Sequence, residues 1–195
     1  MSQTLRSKPC GFTLIEMMVA ISIAAILLAV AIPSFQSLIK RNAIENLQTR
    51  LAAALTAARS EAASRNVVTT LCASKAGLVC EVDEWSSGWI VFTDLDGDAV
   101  KDNNEEILQT FQNKNGYLIK FKNEAKNSIN SLSFTSQGFV RNDVRAYAIF
   151  CDPEKIANYT QGLTVERSGR VMKAKTLAFD TGSSATPENI PLTCD

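Results

Sequence analysis

The sequence predicts an α+β protein in which one long N-terminal helix packs on an antiparallel β-sheet head. An apolar run fills residues 12–32, and an apolar stripe with helical spacing continues from it to Arg65. After Asn66 the composition changes to β-branched and aromatic residues interrupted by turn formers. The predicted organisation is a long helix at 12–66, transmembrane over 12–32, and a β-rich head at 67–195.

The apolar run has the length of a membrane span, because a helix of this many residues rises roughly 30 Å. Arg6 and Lys8 precede the run, which favours a cytoplasmic N-terminus and an exported head. Glu16 is the single acidic residue within it. An acidic side chain in a bilayer costs on the order of 2.5–3.5 kcal/mol, so we expect Glu16 to pair with a positive group of a partner.

Two simpler interpretations compete for this segment. One is an ordinary secretory signal peptide with a small-residue cleavage site at Ala29-Val30-Ala31. The other is a plain membrane anchor. The signal peptide is disfavoured by Glu16 and by an apolar run longer than the usual 7–15 residues or so.

The segment Gly11-Phe12-Thr13-Leu14-Ile15-Glu16, with a basic leader before it and the apolar run after it, resembles the type III signal of type IV prepilins and type II secretion pseudopilins. The resemblance implies that residues 1–11 are a leader, which a prepilin peptidase removes by cleaving after Gly11. It implies that Phe12 is then N-methylated. It also implies that Glu16 pairs, within a filament, with the N-terminal amine of a neighbouring subunit.

The overall charge excludes few classes of function, whereas the amino-acid composition argues against catalysis. Lys plus Arg and Asp plus Glu number 20 each, so the chain is formally neutral and does not stand out as a nucleic-acid binder. Histidine is absent from the sequence, and no phosphate-binding glycine-rich loop is present. The serines have no evident base beside them. We therefore expect no enzyme and no cofactor.

The cysteines predict disulfides in an exported domain. Cys10 lies in the leader, which leaves the even set Cys72, Cys80, Cys151 and Cys194. Sequence alone allows three pairings, and the short spacing favours Cys72 with Cys80, which leaves Cys151 to tether the tail through Cys194. A zinc site is the alternative, but the wide spacings and the lack of histidine disfavour it.

Beyond the membrane-length run, the helical stripe consists of Ile44, Leu47, Leu51, Leu55, Ala58 and Ala62. The candidate strands are Val67 to Ala73, Gly88 to Thr93, Glu106 to Phe111, Tyr117 to Phe121, Leu132 to Thr135, Ala146 to Cys151, Gly162 to Glu166 and Lys175 to Phe179. Turn signals are Asn115-Gly116, Gln137-Gly138 and Ser168-Gly169. The tail from Thr181 to Pro191 is predicted to be loop.

Three features of the head narrow the resemblance. They are the Cys72 and Cys80 pair, the Trp85 to Phe92 segment followed by an Asp-rich turn, and Ser168-Gly169-Arg170. Together they resemble the minor pilins and pseudopilins of the FimT and GspH group. Membership implies other pilin subunits as partners and a single-pass inner-membrane protein with a periplasmic head. In an assembled pilus the head would reach the cell surface.

An acidic segment follows the second candidate strand. With Asp94 as position 1, oxygen ligands fall at positions 1, 3, 5, 9 and 12 of an EF-hand-like loop: Asp94, Asp96, Asp98, Asp102 and Glu105. Ala99 stands at position 6, where the sharp turn of that loop favours glycine. An acidic turn between strands is the preferred interpretation, so we assign no metal, and a weak structural calcium site is the alternative.

Charge is segregated along the head. Residues 107–175 hold 11 basic and 5 acidic residues, whereas residues 81–106 hold 1 basic and 9 acidic. The densest basic group flanks the Ser168-Gly169 turn: Arg167, Arg170, Lys173 and Lys175. In FimT-like minor pilins a Gly-Arg-x-Arg motif contributes to DNA binding. Gly169-Arg170 matches its first half, and Met172 replaces the second arginine.

These observations predict a minor type IV pilin that serves pilus assembly and contacts DNA through the four basic residues. No aromatic residue is interleaved among them, so stacking on single-stranded bases is poorly supported. A solvated hairpin without a ligand is the simpler interpretation of the basic group. The alternatives for the whole protein are a type II secretion pseudopilin that contacts exported proteins and a purely structural initiator of pilus assembly.

Overall fold

The computed structural model describes residues 11–154, 159–174, 177–179, 188–190 and 194, and its fold is α+β, as predicted. One helix, α1, precedes the strands. The bounds are α1 Leu14–Arg65, β1 Thr69–Ala73, β2 Gly88–Thr93, β3 Ile107–Gln112, β4 Leu118–Asn123, β5 Ser131–Phe134, β6 Ala146–Cys151, β7 Gln161–Val165, β8 Val171–Ala174, β9 Leu177–Phe179 and β10 Glu188–Ile190, with a 3₁₀ turn at Arg141–Asp143.

The chain divides into two compact units, Met1–Ile39 and Lys40–Asp195, so the division falls within α1. In the first unit, every described residue up to Gln36 is exposed, including large apolar side chains such as Ile21 and Leu27. Within the described residues, α1 is the one helix long and apolar enough to cross a membrane. The first unit therefore presents an apolar surface that a lipid phase or other apolar helices would cover.

The second half of α1 belongs to the core of the second unit. All six apolar residues of the stripe predicted from the sequence are buried, from Ile44 to Ala62. They share one core with Trp89 and Val91 of β2 and with Phe150 of β6. Gln48, also buried, donates from Nε2 to the carbonyl oxygen of Gly162 at 2.6 Å, so the single long polar side chain on this buried stripe is satisfied.

Two four-stranded antiparallel sheets form the body of the second unit. Their strand orders are β3-β2-β1-β5 and β4-β6-β7-β8, and β9 pairs with β10 in a separate antiparallel ribbon. Strands β1, β2 and β6 are buried along their whole length, because both faces of each strand contribute to apolar clusters. Side chains alternate between these faces along a strand.

The structure joins Cys72 to Cys80 and Cys151 to Cys194, which is the pairing that the spacing favoured. The Cα atoms are 5.5 and 5.8 Å apart, within the usual range for a disulfide. Both bridges belong to small clusters separate from the main core: Cys72 packs with Ile90 and Phe92, and Cys151 packs with Tyr147 and Ile149.

The first predicted strand began two residues too early. Asn66 adopts a left-handed conformation with φ 57°, and the amide of Val67 donates to the carbonyl of Ala62 at 3.3 Å. This arrangement caps the C-terminus of α1. Val67 is therefore used to end the helix, and pairing of β1 begins only at Thr69.

Two strands were absent from the sequence prediction. β8 pairs with β7 in the register Val165 to Val171, although its four residues carry no strong strand signal. The prediction of a loop at 181–191 was wrong for β10, whose residues Glu188–Ile190 pair with β9. Glu and Asn are poor strand formers, so backbone pairing with a partner strand decided this conformation. Of the predicted strand at 175–179, residues 175 and 176 lie outside the described residues.

Candidate functional site

The predicted processing and assembly residues lie at the start of α1. Gly11 and Phe12 precede the helix, and Glu16 lies in its first turn with its side chain exposed. The amide of Glu16 donates to Oγ1 of Thr13 at 3.3 Å. A carboxylate in the first turn is favoured by the helix dipole. Glu16 is therefore compatible with the helix and is not buried against any described residue.

Thr13 is a helix-capping residue that the sequence analysis missed. Its hydroxyl accepts the amide hydrogen of the residue three positions later, which is the pattern of a helix N-cap. The signal was present, since Thr13-Leu14-Ile15-Glu16 has the Ser/Thr-x-x-Glu spacing of a capping box. This cap starts α1 at Leu14 and thereby places Glu16 at the helix end.

Arg167, the first of the four predicted DNA-contacting residues, is held by acidic neighbours. Its Nη2 lies 2.9 Å from Oε1 of Glu124, and its Nη1 lies 3.7 Å from Oδ2 of Asp143. The hydrogen bond to Glu124 raises the pKa of the Arg167 guanidinium, and the Asp143 charge acts in the same direction. The charge of Arg167 is thus largely offset within the head.

Arg170 differs from Arg167, because its side chain is exposed and takes part in no ion pair within the part of the chain that the structure describes. The two arginines flank the turn that joins β7 to β8. The turn is closed by the amide of Glu166, which donates to the carbonyl of Arg170 at 2.9 Å. Arg170 is the member of the predicted group that is most available to a ligand.

Lys173 does not substitute for the second arginine of the Gly-Arg-x-Arg motif. Met172 pairs with Thr164 and Lys173 pairs with Leu163, so the two side chains lie on opposite faces of the sheet. Lys173 donates from Nζ to Oγ1 of Thr49 on α1 at 3.0 Å. Lys175, the fourth predicted residue, lies outside the described residues. The group is therefore not a single basic patch over its described members.

Gly169 positions this turn through a close backbone approach. Its φ is +78°, and a Cβ there would lie 2.2 Å from the carbonyl oxygen of Gly138. The Arg59 side chain fills the adjacent space and donates from Nε to the same carbonyl at 2.9 Å. Arg59 was not singled out from the sequence, because only the tertiary fold brings α1 against these two turns.

The acidic segment between β2 and β3 places three carboxylates together. One oxygen from each of Asp94, Asp96 and Asp98 lies within 4.8 Å of the others. Asp94 is fully buried, whereas Asp96 and Asp98 are exposed. Glu105 is also buried and accepts backbone hydrogen bonds from Leu95 at 2.7 Å and from Asp102 at 2.9 Å, so its two oxygens close the loop.

The chain is similar in sequence to known protein families. The sequence profile described as Type II transport protein GspH matches residues 48–169, which is more than half of the chain. The chain belongs to the GspH family. A second profile, the prokaryotic N-terminal methylation motif, matches residues 6–32 of this GspH-family protein. Comparison with curated proteins gives no significant match.

A solved minor pilin shares the fold of this GspH-family protein, and a solved pseudopilin is similar to it more weakly. The type IV minor pilin FimU of Pseudomonas aeruginosa has a TM-score of 0.53 at 19% identity, over 69% of this chain and 90% of FimU. The minor pseudopilin EpsH of the Vibrio cholerae type 2 secretion system has a TM-score of 0.43 at 11% identity, over 65% of this chain and 92% of EpsH. The protein is accordingly a type IV pilin-like minor pilin or pseudopilin.

The GspH family and the methylation motif also bear on partners. The family implies assembly with other pilin subunits, and the motif implies processing by a peptidase. The apolar N-terminal helix fits anchorage of such a protein in the inner membrane. This family comprises structural subunits of pilin and pseudopilin assemblies.

Proposed function

We propose that this protein is a minor type IV pilin that serves pilus assembly, with its leader removed after Gly11 and its new N-terminus methylated at Phe12. The observation that carries the proposal is the exposed apolar segment 12–39, which begins with a capped helix and a single exposed carboxylate at Glu16. Apolar helices of neighbouring subunits would cover this surface in a filament, as lipid would before assembly.

Glu16 has a physical reason to direct that assembly. A carboxylate among apolar helices is costly unless it pairs with a positive group. Cleavage after Gly11 creates a new amine four residues from Glu16, which is a cation that every processed subunit carries. Pairing between the carboxylate of one subunit and the amine of the next would fix the axial register of the two helices.

The substitution Glu16→Gln tests this role, because it keeps the shape of the side chain and removes its charge. We expect the variant to be processed and inserted into the membrane but to fall at least about tenfold in sheared filaments, in line with loss of a buried ion pair. The measurement is an immunoblot of filaments and membranes. Mass spectrometry of the assembled subunit is expected to give a chain that starts at methylated Phe12.

Glu45→Gln is the matched control, since Glu45 is another exposed glutamate on α1 and belongs to the second unit. It is expected to enter filaments like the natural protein. If Glu16→Gln is incorporated normally, or if the mature chain starts at Ile32, the assembly proposal fails.

A second function is contact with DNA, and Arg170 is the residue that supports it. Arg170 lies exposed beside a turn whose shape Gly169 fixes, and no acidic partner engages it among the described residues. One or two such contacts per subunit give weak, sequence-independent and salt-sensitive binding. Repetition of subunits or neighbouring pilins would be needed for retention of DNA.

Arg170→Ala is expected to weaken duplex DNA binding and to reduce the slope of log K against log salt by about 0.9, the value of one phosphate contact. Arg167→Ala is expected to have a smaller effect, because its charge is already paired with Glu124 and Asp143. Lys114→Ala is the control, an exposed cation on the loop between β3 and β4. Gel-shift titrations at two salt concentrations provide the measurement, and equal effects of all three variants would remove the DNA proposal.

Deletion of the gene distinguishes a subunit of a type IV pilus from a subunit of a type II secretion pseudopilus. The proposal expects loss of pili with protein secretion intact. Loss of secretion with pili intact would instead assign the protein to a type II secretion pseudopilus. Loss of pili without loss of DNA uptake would favour a purely structural initiator.

A further inference from the structure

Asp94 has an environment that its role in the turn between β2 and β3 does not explain. The side chain is fully buried. Its Oδ2 accepts hydrogen bonds from Oγ1 of Thr70 at 2.6 Å and from the amide of Ala99 at 3.2 Å. Its Oδ1 is buried and has no hydrogen-bond partner among the described residues. A buried carboxylate oxygen without a donor carries a free-energy cost that a cation would remove.

The same carboxylate takes part in the only group of three potential metal ligands among the described residues. Asp94, Asp96 and Asp98 each contribute an oxygen to a group whose members all lie within 4.8 Å of one another. Three negative charges at this separation repel each other. A divalent cation between them would offset this repulsion and supply the missing partner of the buried side chain.

The chemistry of the ligand set favours calcium over magnesium. Magnesium demands near-ideal octahedral geometry at about 2.0–2.1 Å and gives up its water reluctantly, so three carboxylates presented by one short loop suit it poorly. Calcium accepts irregular sets of oxygen ligands completed by water. The exposure of Asp96 and Asp98 leaves a side of the group open to water.

The neighbouring groups leave these three side chains as the ligand set. Both oxygens of Glu105 accept backbone amides, whereas Asp96 and Asp98 each accept one backbone amide, on Oδ1. The carbonyl of Gly97 accepts a hydrogen bond from Nη1 of Arg141, and the carbonyl of Asp102 accepts one from Nζ of Lys101. The five-position ligand pattern that the sequence suggested is therefore reduced to its first three acidic positions.

We propose that the loop between β2 and β3 binds Ca²⁺ through Asp94, Asp96 and Asp98. With three carboxylates and an open side, the affinity belongs in the range of extracellular modules, about 10⁻⁴–10⁻³ M. The site would fill in a medium with millimolar calcium and would tie the loop to β2 through Asp94. The inference is independent of filament type and of DNA contact.

Calorimetric titration of the full mature chain in detergent micelles tests the proposal. We expect one calcium per chain, a much weaker response to magnesium, and a calcium-dependent rise in the melting temperature that EDTA reverses. Asp96→Asn together with Asp98→Asn is expected to weaken calcium binding at least about tenfold, as two of three charged ligands are lost. Asp83→Asn is the control, an exposed acid outside the group that is expected to bind like the natural chain.

Absence of saturable calcium binding by the natural chain up to millimolar concentrations would overturn the proposal. Equal affinity in the double variant and the natural chain would do the same. Circular dichroism tests whether the double variant is folded. If the double variant is not folded, Asp98→Asn alone takes its place. The single variant is expected to bind several-fold more weakly and, being exposed, to leave the fold intact.

Discussion

Gly169 shows how a single residue position is fixed by tertiary contact. Its φ of +78° is similar to the +71° of Gly116, so the backbone conformation alone disfavours side chains equally at the two sites. Their surroundings differ, because a Cβ at Gly169 would meet the carbonyl oxygen of Gly138 at 2.2 Å, whereas nothing lies within 4 Å at Gly116. Both positions therefore have the same backbone strain, and only Gly169 adds steric overlap.

Gly169→Ala is expected to lower the free energy of unfolding by about 3 kcal/mol, from left-handed strain plus displacement of a backbone carbonyl. Gly116→Ala is expected to cost about 1 kcal/mol, from the left-handed conformation alone. Urea unfolding followed by circular dichroism measures both. Equal losses of unfolding free energy at the two positions would show that the turn at Gly169 does not pack closely against the segment around Gly138.

Other residues were interpreted from the sequence before their tertiary neighbours were known, and those neighbours determine their charge pairing and burial. Arg167 was grouped with Arg170 because the two are close in sequence, yet Glu124 and Asp143 engage only the former among the described residues. Asp94 was grouped with exposed acids, yet the fold buries it. Charge counts along a chain cannot anticipate either outcome, because ion pairing and burial depend on residues far away in sequence.

At the level of elements, the two disulfides close loops of very different length. Cys72 and Cys80 are 8 residues apart, and Cys151 and Cys194 are 43 apart. Each bridge joins a buried strand, β1 or β6, to a segment outside that strand. A cross-link over a longer loop removes more conformational freedom from the unfolded chain.

Removal of the Cys151–Cys194 bridge by paired serine substitutions is expected to cost about 4 kcal/mol, against about 2.5 kcal/mol for the Cys72–Cys80 bridge, by the loop-entropy relation. Urea unfolding of the two double variants under non-reducing conditions gives the comparison. A larger loss from the short loop would indicate that native packing around Cys72, rather than loop length, dominates.

The elements with strong local signals were predicted well, and those without them were not. The strands Gly88–Thr93 and Ala146–Cys151 have the predicted bounds, because long runs of apolar residues fit strands buried on both faces. The helix from Leu14 to Arg65 follows from apolar spacing. β10 could not be predicted, since its residues favour loops and only pairing with β9 makes them a strand.

On the scale of the whole molecule, the division into two units separates two kinds of apolar residue on one helix. The residues from 12 to 39 expose large apolar side chains. From Ile44 onward, the apolar stripe of α1 is buried in the main core. Lys40 lies at the division, where its Nζ is 2.9 Å from Oε2 of Glu154. Among the described residues, none before Ile44 belongs to the core of the second unit.

A chain of residues 40–195 keeps all the described core residues of the second unit. It is therefore expected to fold without detergent and to keep the unfolding free energy of the mature protein within about 0.5 kcal/mol. A chain that starts at Leu51 also lacks Ile44, Leu47 and Gln48, and we expect it to be destabilised by more than about 3 kcal/mol. Urea unfolding compares the free energies of unfolding of the two chains, and light scattering compares their aggregation. Aggregation of the longer chain would contradict the division.

The sequence alone determined the membrane-length apolar helix, the processing signal and the β-rich character of the head, because length, periodicity and composition are properties of neighbouring residues. Tertiary structure decided which of those residues are available: it engaged Arg167, left Arg170 exposed, and buried Asp94 with one oxygen unpartnered among the described residues. These outcomes arise from strand register and long-range packing, which join residues too distant in sequence for any local pattern to relate them.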